Sequence, residues 1–83
     1  MPTEKDLEVL IASPERVLFE GRAQSIIVPG EKGVFEVLAY HKPILSRLLG
    51  GKIYMDGQPL PIKRGVMKAS KNLVTIIVEE NSL

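Results

Sequence analysis

The stretch 26–49, Ile-Ile-Val-Pro-Gly-Glu-Lys-Gly-Val-Phe-Glu-Val-Leu-Ala-Tyr-His-Lys-Pro-Ile-Leu-Ser-Arg-Leu-Leu, decides the fold. It holds one apolar run, a turn opened by Pro29-Gly30 and closed at Gly33, and a second apolar run. A Pro-Gly pair suits the central positions of a type II turn, because glycine accepts positive φ without steric cost. Val34, Glu36 and Leu38 alternate with Phe35 and Val37, the period of a strand. The loop that follows carries the single histidine, His41, beside Lys42-Pro43. Two β-runs held by a Gly-bounded turn and ending in a polar loop describe a surface for presentation to another protein. They do not describe a catalytic cleft.

Upstream, Asp6 to Ala12 reads as a strand with Leu7, Val9 and Ile11 on one face, broken by Ser13-Pro14-Glu15. Arg16 to Glu20 forms the next run, with Gly21 as a bulge or bend that ends it, and Gln24 to Val28 the one after. Downstream, Pro43 to Leu49 has two readings. One is a two-turn helix, with Pro43 at its first position and Gly50-Gly51 as its stop. The other is a turn at His41-Lys42-Pro43 followed by a strand, which is favoured because so short a helix is marginal. Lys52 to Met55 and Gln58 to Lys63 form a hairpin about Asp56-Gly57, with Pro59 and Pro61 pushing the second run to an edge. Arg64-Gly65 is expected to turn the chain into Val66 to Ala69, and Lys71-Asn72 to turn it into Leu73 to Glu79. The sequence thus predicts an all-β chain, a flattened two-sheet sandwich or barrel of about 8–10 short strands with no long helix. Residues 1–83 read as a single domain.

Composition narrows the partners. A chain of 83 residues buries about 60–65% of its unfolded surface, so its core is small. An apolar fraction of 45% with 25% charged residues belongs to a globular domain, not a disordered one. The net charge of +1 and the mixing of signs argue against nucleic acid. Lys63, Arg64, Lys68 and Lys71 are read as a solvated edge. There is no cysteine, hence no disulfide framework or thiolate metal site. Met1 to Asp6 is polar and mixed in charge, unlike a secretory signal. The apolar runs fall short of the roughly 20 residues of a membrane helix, so a soluble protein without direct membrane insertion is expected.

No catalytic, metal-binding or cofactor-binding residue is assigned. A lone histidine without a second one lacks a ligand set, and Pro-Gly-Glu-Lys-Gly lacks the spacing and ending of a phosphate loop. Val66-Met67-Lys68-Ala69 resembles the Met-Lys core of biotinyl and lipoyl carrier domains, with Lys68 as the attachment site; this is the alternative function. Against it, the Lys71-Asn72 turn falls after the Met-Lys pair instead of at it.

Taken whole, the chain resembles the N-terminal β-sandwich domain of the epsilon subunit of F-type ATP synthases. The landmarks are Ser13-Pro14-Glu15 and Phe19-x-Gly21, then Val28-Pro29-Gly30-Glu31-Lys32-Gly33-Val34-Phe35-Glu36-Val37-Leu38. His41-x-Pro43-Ile44-Leu45-Ser46-x-Leu48, Gly51-Lys52-Ile53, Gly65-Val66 and Leu73 to Val78 follow in order. Lys42 departs from the pattern, standing where a small residue usually precedes the proline, and Ala39-Tyr40 replaces a Pro-Gly or Asn-containing pair. The resemblance implies a non-catalytic rotor component of the central stalk, joining the gamma subunit to the polar loops of the c-ring. It would couple ion-driven rotation to ATP synthesis, peripherally on the cytoplasmic side of the inner or plasma membrane. It further implies a partner interface at Ser13, Gly33, Val34, Tyr40, His41, Lys42 and Ser46, with Val34 and Tyr40 unusually exposed in the isolated chain. Only Glu80-Asn81-Ser82-Leu83 follows Glu79, so the short form without the C-terminal helical hairpin is expected.

Overall fold

The computed structural model describes residues 6–81; of the polar N-terminal stretch only Asp6 is included, and Ser82-Leu83 also lie outside the described residues. Among these residues nine strands follow one another: β1 (Leu7–Ala12), β2 (Val17–Ala23), β3 (Ser25–Gly30), β4 (Gly33–Leu38), β5 (Ile44–Leu48), β6 (Gly51–Met55), β7 (Gln58–Ile62), β8 (Arg64–Ser70) and β9 (Leu73–Glu79). Among the described residues there is no helix. The strands form one hydrogen-bonded sheet in the order β2-β1-β9-β8-β5-β3-β6-β7, with β4 on the other edge of β3. Curling folds the β2-β1-β9-β8-β5 arm over the β4-β3-β6-β7 arm, and the inward faces of both arms share one core.

Alternation explains which side chains enter that core. Leu7, Val9 and Ile11 point inwards from β1, Ile26 and Val28 from β3, Met67 and Ala69 from β8, and Val74, Ile76 and Val78 from β9. Each is separated from the next by one outward residue, as the pleat requires. Aliphatic side chains dominate, so the core is built from stiff β-branched groups suited to a pleated surface. The first strand lies parallel to the last, pairing Glu8 with Leu73 through Ala12 with Ile77, while every other pair is antiparallel. That central pairing forms only when the two ends of the chain meet.

Several local expectations change. The turn after β3 is centred on Glu31-Lys32, not on Pro29-Gly30, because β3 continues to Gly30 and pairs Pro29 with Val34. Proline is accommodated there since residues 25 and 29 of β3 bond away from β4. The Ser25 carbonyl accepts from Asp56 N–H at 3.0 Å and the Pro29 carbonyl from Leu49 N–H at 2.8 Å. The missing N–H therefore faces the place where the far edge of β3 passes from β6 to β5, and the β3–β4 ladder loses nothing. Gly30 is needed because a Cβ there would lie 2.5 Å from the Phe35 ring.

β2 runs through Gly21 to Ala23, and its irregularity is at Leu18, skipped between the pairs Ile11–Phe19 and Ala12–Val17. The Phe19 ring lies 3.4 Å from the site of a Gly21 Cβ, covering the gap. Arg64-Gly65 belongs to β8 and the bend is at Lys63. The strand reading of residues 44–48 holds, since β5 pairs with β8 along its whole length. Asp56-Gly57 (φ 48° and 84°) and Lys71-Asn72 (φ 53° and 61°) both have two central residues at positive φ, the type I′ geometry of tight hairpins.

Two substitutions test this packing by urea unfolding. Ile76→Ala empties a fully buried site between the arms and is expected to lower stability by about 2–5 kcal/mol. A Cβ on Gly65 would sit 2.8 Å from the Ile77 carbonyl oxygen, so Gly65→Ala forces β8 from β9 and is expected to cost about 1–3 kcal/mol.

Candidate partner interface

The connections gather into two groups. At one end, Pro14 and Glu15, Glu31, Leu49-Gly50 and Lys63 line one broad shallow depression with Glu79. At the other end, the Asp56 carboxylate accepts from the N–H groups of Gln24 and Ser25, both at 2.9 Å. There too the Asn72 Oδ1 accepts from Tyr40 N–H at 2.7 Å. These bonds tie turn to turn, so the loops are held by the scaffold.

The structure divides the residues expected at a partner interface. Gly33, Val34 and Ser46 line a common open groove of about 540 Å³ between the β3–β4 tip and β5, with Phe35, Leu45 and Arg47. Val34 is 72% exposed. Tyr40, His41 and Lys42 sit at the opposite end of β4, in the loop leading to β5. Tyr40 is 68% exposed and has φ 66°, an orientation fixed by its bond to Asn72. His41 donates its N–H to the Leu38 carbonyl at 3.2 Å, and its Nδ1 lies 2.7 Å from the Lys42 carbonyl. A carbonyl only accepts, so Nδ1 carries the proton of that bond. The histidine shapes its loop.

Ser13 is buried and engaged. Its Oγ accepts from the N–H groups of Glu15 and Arg16, both at 3.2 Å, and donates to Glu80 Oε2 at 3.1 Å. Arg16 Nη2 donates to Glu80 Oε1 at 2.6 Å and its Nε to Oε2 at 3.3 Å. This cluster fastens the β1–β2 turn to the residue after β9. The bonds from Arg16 hold the Glu80 carboxyl below its ordinary range, against some desolvation and with help from Ser13.

One feature of the outer surface escaped the sequence reading. Register aligns Arg47 of β5, Val66 of β8, Ile77 of β9, Ala12 of β1 and Val17 of β2 in a row across the outward face. Val66, Ile77 and Val17 are 47%, 49% and 57% exposed. The unbroken apolar run Ile76-Ile77-Val78 was the available signal, since a strand apolar on both sides expects cover on both.

Among the described residues no three His, Cys, Asp or Glu side chains cluster as metal ligands. Lys68 stands in the middle of β8, paired with Leu45 and Thr75, and the hairpin tip is Lys71-Asn72. A carrier domain exposes its lysine at such a tip, so the carrier alternative does not hold.

The family described as ATP synthase, Delta/Epsilon chain, beta-sandwich domain matches residues 6–82. The chain belongs to this family. A relative named ATP synthase epsilon chain in Chlorobaculum tepidum is 31% identical over 85 residues, covering 96% of this chain and 97% of the relative. Another of that name in Leptospira borgpetersenii is 31% identical over 81 residues, and there the chain spans 64% of the relative's length. In fold, it is similar to a chain of the Euglena gracilis mitochondrial ATP synthase structure, with TM-score 0.83, 16% identity, and coverage of 90% of this chain and 51% of that one. A chain in the central stalk and c-ring structure of the Tetrahymena thermophila enzyme gives TM-score 0.76 at 13% identity, with coverage of 89% and 63%.

The Arg16–Glu80 pair makes a pH prediction. Glu80 titrates lower folded than unfolded, so its stabilisation is fully present above the ordinary value of 4.5 and fades as pH falls through the folded value. Arg16→Ala is expected to lower Tm slightly at pH 7. The deficit should shrink as pH falls below 4.5 and vanish once the Glu80 carboxyl is protonated in the folded chain. A deficit independent of pH would show that the ion pair is not its source.

Proposed function

We propose that the chain is a non-catalytic central-stalk subunit of an F-type ATP synthase, joining the gamma subunit to the polar loops of the c-ring. In that place it couples ion-driven rotation to ATP synthesis. The match of residues 6–82 to the delta/epsilon β-sandwich family is the observation that carries this reading. Physical character supports it. A coupling element must pass torque without deforming, and a close-packed interior has low compressibility. Sixteen buried apolar residues in one cluster supply that interior. The exposed Val34, Tyr40 and Leu45 supply apolar contact surface of the kind that marks protein interfaces.

On this reading Gly33, Val34 and Ser46 form one contact region and Tyr40, His41 and Lys42 a second, at opposite ends of β4. Ser13 contributes by holding the β1–β2 turn, whose Pro14 and Glu15 are exposed. The chain acts as one β-sandwich domain, peripheral to the membrane on its cytoplasmic side. No helix among the described residues is long and apolar enough to cross a membrane.

The reading is tested by capture of gamma and detergent-solubilised c-ring on the immobilised chain. The wild type is expected to retain them. Val34→Asp places a charge on the most exposed part of the tip and is expected to weaken retention tenfold or more, roughly 1.4 kcal/mol. His41→Ala should weaken it less, by loosening the loop. Failure of the wild type to retain either protein contradicts the function proposed.

A further inference from the structure

Among the described residues three strands, β2, β7 and β4, have a neighbour on one side only. An open edge is a template for another strand, and natural sheets blunt it with proline, charge or a bulge. β7 carries Pro59 and Pro61, and β2 carries Glu20, Arg22 and the irregularity at Leu18. β4 is the least guarded of the three. It contains neither proline nor lysine and pairs with β3 in unbroken register over its full length. Its single charge, Glu36, is held by a 2.6 Å hydrogen bond from Ser25 Oγ. Val34 and Leu38, on either side of Glu36 along the same face, are 72% and 50% exposed.

The direction of the backbone groups follows from the hydrogen bonds at the two ends of β3. The Ser25 and Pro29 carbonyls turn towards Asp56 and Leu49, so Ile26, Val28 and Gly30 bond to β4 through Val37, Phe35 and Gly33. Val34, Glu36 and Leu38 then point their N–H groups outwards. Leu38 confirms the phase, since its carbonyl accepts from His41 N–H in the loop and not from β3. The Val34 and Glu36 N–H and C=O groups are left facing outwards in the spacing that an extended backbone matches.

We propose that β4 is a docking edge, to which an extended segment of a partner protein adds as a further strand reading apolar–basic–apolar opposite Val34, Glu36 and Leu38. Main-chain pairing supplies the attachment and the three outward side chains supply the selection. A second copy of this chain is a poor occupant. The two-fold antiparallel register that pairs all three outward residues, Val34 with Leu38 of the copy and Leu38 with Val34, sets Glu36 against Glu36, and like charges directly opposite destabilise a pair. The proposal deepens the stalk reading and rests on it for the source of the strand.

Amide hydrogen exchange of the chain, alone and assembled with gamma and c-ring, provides the test. Assembly is expected to slow the Val34 and Glu36 amides by roughly 100-fold or more while the outer edge of β2 is unchanged. Glu36→Pro removes one outward donor without touching the pairs to β3, and Val34→Lys installs an edge guard. Each is expected to weaken assembly by about tenfold with the isolated fold retained. Assembly without added protection of β4 overturns this proposal and leaves the stalk reading intact. Failure to bind either protein overturns both. Protection of β4 by self-association of the isolated chain overturns it in favour of a second copy.

Discussion

Two layers of this protein are one sheet, and they are tied at a narrow place. β5 meets β3 through the single pair Leu48–Gly30 and the bond from Leu49 N–H to the Pro29 carbonyl. A second tie, from Lys63 N–H to the Glu79 carbonyl at 2.9 Å, joins the β7–β8 bend to the end of β9. Neither is strong alone, because the net contribution of a hydrogen bond is about 0.5–1.5 kcal/mol. What makes them hold is the apolar core they enclose, which no arm could bury without the other. Burial and seam therefore depend on each other, and the body unfolds as a unit or not at all.

That mutual dependence explains why the surface can be left so apolar. The core side chains are stiff aliphatic groups on a pleated frame, and the turns are cross-tied by Asp56, Asn72 and Ser13. A frame held this way keeps Val34, Tyr40, Val66 and Ile77 in fixed positions at the surface. Fixed exposed side chains are costly in an isolated molecule and useful in an assembly, where ordering them again is unnecessary. The surface and the interior thus describe one design: a stiff body that holds apolar contact surface in place.

Much of this was legible in the sequence. Apolar patterning located most strands, the strand at 44–48 was favoured only because so short a helix is marginal, and Asp-Gly and Lys-Asn located two hairpins, because those signals are local. Pro29-Gly30 misled because a Pro-Gly pair has two uses; only the tertiary contact with Leu49 decides that it lies inside a strand. Gly65 misled for the same reason, since it admits the close approach of Ile77, distant in sequence; Gly21 simply continues β2 beside the Phe19 ring. The candidate interface was harder. Val34 and Tyr40 emerge exposed as expected, before and after the strand that the alternation marks, but nothing in the sequence signals that Ser13 is enclosed. Position along a chain does not report burial where a turn folds its own hydroxyl inwards.

The most direct measurement of the central claim uses the F-type ATP synthase in which the chain is proposed to act, depleted of it and reconstituted in vesicles. With an imposed ion gradient, adding the chain back should restore ATP synthesis while ion leakage falls. Synthesis at the full rate without the chain, or no recovery on adding it, would contradict the account of a rigid element coupling rotation to catalysis.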